Sequence, residues 1–366
     1  MIRHLMLKKY RSFESYTLQD LARVNLLVGR NNSGKTSILE AVHLLASQGD
    51  PNVFVQSTQR RGEVPVKTGT DGSADLRHRE FHDVSQQFFG RRFEVGAEFS
   101  VSSEDGLGHV SATIMSVPEG ESEDLFEADA NDLQTFVLRL AGSNHKHLDL
   151  PLNADGSLIL SRRVLLRAAS RAPTETRPIR FLTTESFGFG HLAEMWDNVQ
   201  QAGGEFEVID AMRILENDLE SIHFLAAPRR YGWASSGILL GFEPGTPRVP
   251  LGSHGEGSRR LLAISLSLTQ LTNGFLLVDE IDTGLHWTVM EDMWRLVVET
   301  ARKSRIQVFA TTHSYDCVRG LASLLASRPD LAEEVSIQKV ERSLSQAVAF
   351  DADNIKVAAE QSIELR

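Results

Sequence analysis

Hydrophobic and polar positions alternate in different ways along the chain. Near the start, Leu5 and Leu7 begin an alternating run, and residues 24–28 form a short apolar run that ends in a glycine, so both predict strands. From Lys35 to Leu45 the apolar residues recur every three or four positions, which predicts a helix with one buried face. The opening of the chain is therefore strand, glycine-containing loop and helix.

The middle of the chain has weaker patterns. Residues 49–80 are rich in Gly, Pro, Ser and Arg and predict a loop. Apolar and polar residues alternate in short runs from 93 to about 140, for example over 93–99, which predicts antiparallel strands interrupted by an acidic loop at 119–132. Helical spacing returns at about 191–219 and is broken once, at Gly203 and Gly204.

The last third alternates between helix and strand. Helices are predicted at 257–271, 286–302 and from 315, strands at 275–278, 306–310, 335–340 and 347–350, and a short helix at the end. This predicts an α/β fold with a mixed central sheet assembled from both ends of the chain, an antiparallel β subdomain and a short helical insertion. The predicted organisation is a single domain over 1–366, with a core from 1–48 and 250–350 and an inserted region at 90–249.

Composition narrows the class of protein. The chain is 41% hydrophobic and 24% charged, which excludes disorder of the whole chain, and no apolar run approaches the roughly 18 residues that span a bilayer. The one cysteine, Cys317, excludes an internal disulfide framework or thiolate metal cluster and is expected to be a buried apolar filler. A net charge of −11 argues against coating nucleic acid over the whole surface. We expect a cytoplasmic protein without membrane contact.

Residues 29–36, GRNNSGKT, fit the pattern G-x-x-x-x-G-K-[ST] between the predicted strand and helix. The glycines allow backbone N–H groups to wrap phosphates at the positive end of a helix. Lys35 would reach the β- and γ-phosphates, and the Thr36 hydroxyl would hold Mg²⁺. The predicted nucleotide-binding residues are Gly29, Arg30, Asn31, Asn32, Ser33, Gly34, Lys35, Thr36 and Ser37.

Two adjacent carboxylates, Asp279 and Glu280, end the predicted strand at 275–278. Asp279 suits a second Mg²⁺ contact, and Glu280, pointing the other way on the pleat, could polarise an attacking water. Residues 253–260, SHGEGSRR, open a helix and could bind an anion or serve as an ordinary helix cap. His313 follows the strand at 306–310 and could touch a γ-phosphate or be a satisfied core group.

These segments, in this order, resemble the ATP-binding-cassette (ABC) ATPases, in the branch with RecF, the structural-maintenance-of-chromosomes (SMC) proteins and the OLD-like (overcoming lysogenization defect) nucleases. Residues 7–13, LKKYRSF, resemble the opening strand and turn of that branch, and by this resemblance Arg11 would contact ATP. The resemblance assigns residues 29–36 to Walker A, 279–280 to Walker B, and Glu280, His313 and Lys35 to catalysis, with Thr36 and Asp279 as metal ligands.

The resemblance also implies a homodimer that closes on ATP, with Mg²⁺ as cofactor. In that family one head supplies Walker A, Walker B and the switch histidine, and the other supplies the signature motif and D-loop. The residues that would act on the partner's nucleotide are Ser253, Gly255, Glu256, Gly257 and Asp282.

The chain departs from its relatives in three places. Its middle is too short for a coiled-coil arm, and only about fifty residues follow His313, too few for the Toprim domain of OLD-like nucleases. The Asp-x-Asp spacing at Asp351 is therefore interpreted as a helix cap. The glutamine of the Q-loop is not identified; the candidates are Gln86, Gln87 and His82.

Basic residues suggest a further partner. Arg163, Arg167 and Arg171 fall on one face of a helix, where they could track phosphates, form a solvated face or dock an acidic partner. His145 and His147 could chelate a metal, but no third ligand is near.

Three functions remain open. The first is an ATPase and sensor subunit of an OLD-like, anti-phage system whose effector, Toprim-like or another nuclease, is a separate chain. The second is a RecF-like DNA-binding clamp in repair or recombination. The third, a small-molecule P-loop kinase, is disfavoured because it needs neither the signature motif nor the switch histidine.

Overall fold

The computed structural model describes residues 1–63, 81–116, 136–143, 145–153, 156–159, 177–183, 188–225, 237–243 and 245–360. The chain divides into two compact units. The first comprises Met1–Gln19, Glu40–Arg177 and Arg342–Ala347, and the second comprises Asp20–Leu39, Pro178–Glu341 and Val348–Arg366. The division falls within helix α1 (Lys35–Ala46). The second unit thus includes residues 178–249, which the sequence assigns to the insert, and the assignment of one domain over 1–366 stays a prediction.

The first unit is built on an antiparallel sheet of eight strands. Their order is β2-β1-β5-β6-β7-β8-β9-β4, and every neighbouring pair is antiparallel. The bounds are β1 (Leu5–Tyr10), β2 (Phe13–Leu18), β4 (Phe81–Asp83), β5 (Glu98–Ser103), β6 (Gly108–Ser116), β7 (Phe136–Gly142), β8 (His145–Leu152) and β9 (Ser157–Ile159). The predicted antiparallel β subdomain is present, but its sheet also includes β1 and β2, which the sequence assigned to the nucleotide-binding core.

The predicted loop at 49–80 is wrong in its first part, because helix α2 (Pro51–Arg60) forms there. The Asp50 side chain accepts a hydrogen bond from the Asn52 N–H at 2.9 Å, and Pro51 occupies the first turn, where its missing N–H costs nothing. The helix buries one face that includes Val53 and Phe54. Capping and tertiary burial therefore outweigh a composition typical of loops.

The strand predicted from residue 93 begins later than expected. β5 starts at Glu98, and the residues before it form a turn in which the Ala97 N–H donates to the Glu94 carbonyl at 3.0 Å. Gly96, with φ 85°, allows this turn. The acidic loop predicted at 119–132 lies outside the described residues.

A buried histidine makes the first unit sensitive to acid. Burial, reinforced by the nearby Arg60, lowers the pKa of His43 to about 3. Between about pH 6.5 and pH 3 the unfolded chain binds a proton at His43 and the folded chain does not. The free energy of unfolding therefore decreases as the pH is lowered through this range. When the pH is lowered from 7 to 4.5, the unfolding free energy of the parent should fall by roughly 2–3 kcal/mol more than that of His43→Gln. Urea titrations at the two pH values measure both losses. Equal losses would contradict the neutral buried histidine.

The second unit is built on a six-stranded sheet of order β10-β14-β15-β3-β16-β17. All neighbours are parallel except β16 and β17, which are antiparallel. The bounds are β3 (Val24–Val28), β10 (Ile179–Leu182), β14 (Phe275–Val278), β15 (Gln307–Thr311), β16 (Val335–Lys339) and β17 (Val348–Phe350). Every residue of β3, β14 and β15 is buried, as expected for parallel strands covered on both faces.

Helices and a small sheet complete the second unit. The helices are α3 (Phe189–Ala202), α4 (Glu205–Met212), α5 (Glu256–Gln270), α6 (Met290–Ser304), α7 (Tyr315–Ser327) and α8 (Ala352–Glu360). The small antiparallel sheet has the order β11 (Ser221–Leu225), β12 (Gly237–Gly241) and β13 (Val249–Pro250). The α/β fold with its mixed sheet and helical insertion is as predicted.

Details of the helices differ from the sequence prediction in two places. The predicted insertion at 191–219 breaks at Gly203, which ends α3 in the left-handed conformation, but α4 already ends at Met212. The helix predicted from 286 begins at Met290, after a 3-10 turn at Trp287–Val289. Two smaller predictions are confirmed: Asp351 accepts from the Asn354 N–H at 2.9 Å at the start of α8, and Cys317 is fully buried.

Gly29, directly after β3, has no room for a side chain. An added Cβ would lie 2.5 Å from the Val340 carbonyl oxygen, and φ is 142°. We expect Gly29→Ala to lower the unfolding free energy by about 1–3 kcal/mol in denaturant titrations. The matched control is Gly190→Ala in α3, which meets nothing within 4 Å. A neutral Gly29→Ala would show that the loop can shift to admit a methyl group.

Within the described ranges, no helix is both long and apolar enough to cross a membrane.

Candidate functional site

Three polar segments of the second unit meet at one edge of its sheet. The strand order places β14, β15 and β3 side by side and parallel, so their carboxyl ends share an edge. The loop at 29–34 follows β3, Asp279 follows β14, and His313 follows β15 by two residues. In open α/β sheets this edge is where ligands bind, so the topology brings the predicted residues together.

The loop at 29–34 closes around the ammonium group of Lys35. The side chain is 5% exposed, and Nζ donates to the carbonyl oxygens of Gly29 at 2.8 Å and Arg30 at 3.0 Å. Burial lowers the pKa of Lys35 to about 8, although Asp279 and Glu280 favour the charged form. The two carbonyl contacts hold the ammonium group at the mouth of the loop, where a phosphate would need its charge.

The Thr36 hydroxyl faces the carboxylate of Asp279. Thr36 Oγ1 lies 3.2 Å from both Oδ1 and Oδ2, and the Thr311 hydroxyl donates to Asp279 Oδ1 at 2.7 Å. Thr311, the last residue of β15, begins the segment that contains His313, but the sequence indicated no role for Thr311 itself. Its position at the carboxyl end of a strand was the available signal.

Glu280 does not follow the pleat of β14 as predicted, because the strand ends at Val278. Its φ is 54°, a left-handed conformation that is uncommon outside glycine, so the backbone turn sets its direction. The Glu280 N–H donates to Thr311 Oγ1 at 2.8 Å, and the Thr283 hydroxyl donates to Glu280 Oε2 at 3.3 Å. These contacts hold a half-buried carboxylate beside Asp279.

His313 reaches the same group of side chains. Its Nδ1 lies 3.5 Å from Lys35 Nζ. Burial first, and the neighbouring lysine charge second, lower the pKa of His313. A neutral imidazole can both donate and accept a hydrogen bond, which suits contact with a phosphoryl group and water.

The rest of the phosphate loop fits an anionic ligand. The Ser33 hydroxyl is buried and has no hydrogen-bond partner among the described residues, so a ligand oxygen could satisfy it. Ser37 is buried in the first turn of α1. Arg30, Asn31 and Asn32 are exposed, and Gly34 has φ 106°.

The Thr36 and Asp279 oxygens also suit a divalent cation. Mg²⁺ prefers oxygen ligands and is commonly held by one or two carboxylates together with substrate phosphates. The described parts of the chain contain no cluster of three or more His, Cys, Asp or Glu that could hold a metal alone. A site that needs phosphate oxygens to complete it agrees with both observations.

We expect Thr36→Val to raise the Mg²⁺ concentration needed for half-maximal ATP hydrolysis by about tenfold or more, because it removes an oxygen from the site. The hydroxyl, 3.2 Å from both Asp279 oxygens, is replaced by a methyl of similar size. Thr36→Ser, which keeps the hydroxyl, is the control and should stay near the parent. An unchanged Mg²⁺ dependence in Thr36→Val would remove Thr36 from the metal site.

The predicted signature residues lie at the start of α5. Ser253, Gly255 and Glu256 are exposed, whereas Gly257 is buried. A Cβ at Gly257 would lie 2.3 Å from the Gly284 carbonyl oxygen, so the start of the helix packs directly against the turn after Glu280. Small residues are required here by this close approach.

Two further contacts fix the neighbouring turns within the chain. Asp282 accepts a hydrogen bond from the Thr312 hydroxyl at 2.6 Å, so one predicted D-loop carboxylate oxygen is engaged in its own chain. His254 Nδ1 lies 2.5 Å from Glu216 Oε1, which ties the signature turn to the segment after α4. The Glu216 contact has no signal in the sequence, because 38 positions separate the two residues.

Arg11 belongs to the first unit, where it pairs with the buried Glu40 and the partly buried Glu63. Its Nε lies 2.9 Å from Glu40 Oε2, Nη1 donates to Glu63 Oε1 at 2.6 Å, and Nη2 donates to Ser57 Oγ at 2.8 Å. Burial opposes its charge, but Glu40 and its neighbours prevail and raise the pKa of Arg11. The structure gives this guanidinium a packing role, and ATP contact stays a prediction.

The remaining predicted candidates lie in the first unit or outside the described residues. Gln86, Gln87 and His82 lie in the first unit, where Gln87 Nε2 donates to the Phe54 carbonyl at 3.3 Å. Nε2 of His147 lies 4.0 Å from Asp149 Oδ2. The side chain of His145, and the whole of Arg163, Arg167 and Arg171, lie outside the described residues.

Comparison with curated proteins includes a match along most of the chain. An "ATP/GTP phosphatase" of Helicobacter pylori (strain ATCC 700392 / 26695) is 17% identical over 366 residues, covering 92% of this chain and 91% of that protein. "DNA replication and repair protein RecF" of Geobacillus sp. (strain WCH70) is 46% identical, but over 43 residues, 12% of each chain. The likeness to RecF is therefore local.

Solved structures with a similar course of the chain include SMC heads. One is described as "Crystal structure of the SmcHead bound to the C-winged helix domain of ScpA", with 14% identity, 96% and 97% coverage and a TM-score of 0.46. The "SMC head domain from Thermotoga maritima" has 14% identity, 96% and 98% coverage and a TM-score of 0.41. The fold assignment rests on the sheet and its phosphate loop.

A protein family covers most of the chain. The family described as "AAA domain, putative AbiEii toxin, Type IV TA system" matches residues 24–316, which include the phosphate loop, the acids after β14 and His313. Its ATPase class agrees with the grouping of Lys35, Thr36 and Asp279 at one sheet edge. The chain binds and hydrolyses ATP, and it belongs to this family of AAA-type ATPase domains.

Proposed function

We propose that ATP binding closes two copies of this chain into a dimer and that hydrolysis opens it, as the ATPase and sensor subunit of an OLD-like, anti-phage system with a separate effector nuclease. The observation that carries the dimer is the exposure of Ser253, Gly255 and Glu256 at the positive end of α5. An exposed helix start suits the γ-phosphate of a nucleotide held by another chain.

Each side chain has a definite role in this proposal. Lys35 moves its hydrogen bonds from loop carbonyls to the β- and γ-phosphates, and Thr36 and Asp279 would hold Mg²⁺. Bound Mg²⁺ supplies positive charge that offsets the charge of the phosphates. Glu280 orients and deprotonates the attacking water, and His313 donates a hydrogen bond to the γ-phosphoryl oxygens.

A composite site can be tested by mixing two inactive variants. Lys35→Ala lacks the phosphate contact and Ser253→Arg blocks the signature turn, so neither homodimer has a complete site. In a mixed dimer, the Lys35→Ala chain brings an intact signature to the intact Walker A of the other chain, and random pairing makes about half of all dimers mixed. ATPase activity of the mixture should exceed that of both parents. A mixture no more active than either parent contradicts action across a dimer.

The separate effector can be tested by capture from the native host. Glu280→Gln protein with ATP should be used as bait in extracts of the native host, and the isolated Lys35→Ala protein is the matched control. Recovery of a nuclease or Toprim-like chain with the first bait and not with the second supports the proposal. Recovery of no such chain counts against an effector partner.

The local likeness to RecF favours a second candidate, a DNA-binding ATPase clamp. If the protein is such a clamp, it should retain duplex DNA only with ATP, and the retention should weaken steeply with salt. Changing Arg163 and Arg167 to Glu should abolish the retention. Retention that ignores ATP or survives these changes contradicts the clamp. Nucleotide preference should be compared with ATP and GTP in both cases, because the Helicobacter relative is named for both.

A further inference from the structure

Arg260 is the notable charged residue of α5, because it is only 2% exposed. Arginine keeps its positive charge in proteins, and a buried charge is costly unless other charges and hydrogen bonds balance it. Its Nη1 donates to the backbone carbonyl oxygen of Asp279 at 3.2 Å. The guanidinium therefore reaches from α5 to the segment directly after β14.

Four carboxylates favour this positive charge, although burial outweighs them. They are Asp282, Glu280, Asp279 and Glu256. Burial lowers the pKa of Arg260, and all four acids oppose that change. Three of the four belong to the turn after β14. Arg260 therefore attracts the acids of the site and also contacts their backbone.

Lys35 is a second cation near these acids, and the two differ in what they are available to do. Lys35 is required by phosphates when nucleotide binds. Arg260 belongs to α5 and donates to a backbone oxygen. We expect it to keep this hydrogen bond when nucleotide binds. It can keep the backbone at Asp279 against α5 while Lys35 turns to the ligand.

The packing around Arg260 leaves this region little freedom. A Cβ added at Gly257 would lie 2.3 Å from the Gly284 carbonyl oxygen. A Cβ added at Gly284 would lie 2.8 Å from the Gly257 nitrogen. Helix α5 and the turn after Glu280 thus touch backbone to backbone. Arg260 adds a charged contact between the same two elements, one turn further along the helix.

We propose that Arg260 is a positioning residue for ATP hydrolysis. It holds the backbone after β14 against α5 and so keeps Glu280 in its working position. It acts through the Asp279 carbonyl and the neighbouring acids and does not touch nucleotide. The proposal rests on the roles proposed above for Asp279 and Glu280. Its consequence is that the start of α5 and the hydrolytic carboxylates of one chain move as one body.

The test separates binding from catalysis. Arg260→Gln should lower kcat by about 100-fold, the cost expected when a reacting group is misplaced by about 1 Å, and leave the Kd for a non-hydrolysable ATP analogue within about twofold of the parent. Arg260→Lys keeps the charge but not the planar guanidinium donor. Its kcat should lie between that of the parent and that of Arg260→Gln. The matched control is Arg302→Gln, which removes a half-exposed arginine paired with Asp330 and should leave both constants unchanged.

Several results would overturn the proposal. An unchanged kcat in Arg260→Gln would do so, and so would equal losses of kcat and analogue binding in both Arg260 variants. If the glutamine variant does not fold, the lysine variant decides, because a folded Arg260→Lys with normal kcat also rejects it. A Glu280→Gln protein that hydrolyses ATP normally would instead reject the roles proposed for the site, so the two failures can be told apart.

Discussion

Glu280→Gln protein should bind ATP, hydrolyse it about 100- to 10,000-fold more slowly than the parent, and remain a dimer while ATP is present. The measurement is the solution mass with and without ATP and Mg²⁺, by light scattering, together with phosphate release. A change from one chain to two on adding ATP is the expected result.

The physical reason lies in what the amide keeps and loses. Glutamine has the size of glutamate, so the contacts of Glu280 with the hydroxyls of Thr311 and Thr283 can persist. It cannot accept the proton of an attacking water, and it carries no charge to repel the phosphates. ATP would therefore stay between the two chains, because the step that releases the dimer is blocked.

A matched control removes a carboxylate elsewhere in the same unit. Glu299→Gln in α6 breaks a surface pair with Arg328 and should neither slow hydrolysis nor change the mass. A Glu280→Gln protein that stays a single chain in ATP would contradict the closed dimer. A mass of two chains with and without ATP would mean that association does not depend on nucleotide.

Lys35→Ala should lose affinity for ATP by roughly 10- to 100-fold, the effect of removing a hydrogen bond between charged groups. In the parent, Nζ is already held by the carbonyl oxygens of Gly29 and Arg30, so the charge is in place before the ligand arrives. Alanine removes the charge and leaves those carbonyls facing the phosphates. Isothermal titration with an ATP analogue measures the change.

Lys339→Ala is the control for Lys35→Ala. It removes an ammonium group of β16, in the same unit, that pairs with Glu341 at 3.2 Å. Its affinity for the analogue should equal that of the parent. If Lys35→Ala also binds normally, the phosphate loop is not the nucleotide site.

The sequence was most informative where local pattern and tertiary environment agree. Every residue of the strand at 24–28 is buried, so a run that is apolar except for Asn25 was a sufficient signal. The loop after it carries a pattern with a known geometry. The same holds for the acids after β14, since the apolar run before Asp279 is equally buried.

The sequence was least informative about contacts between distant segments. Thr311, which holds both Asp279 and the Glu280 N–H, is an ordinary strand residue until β15 is placed beside β14. Helix α2 was missed because its polar composition resembles a loop, although its Asp50 cap and the packing of Val53 and Phe54 both favour the helix. The left-handed turn at Glu280 likewise depends on surrounding structure, since glutamate has no preference for it.

The position of β3 has a consequence for how the protein is made. Its neighbours in the sheet are β15 and β16, which are translated about 280 and 310 residues later. A ribosome-bound chain would carry an unpaired β3 and an unformed phosphate loop until β15 and β16 have emerged. Such late pairing slows folding and leaves apolar strands exposed, so we expect synthesis of this protein to depend on chaperones.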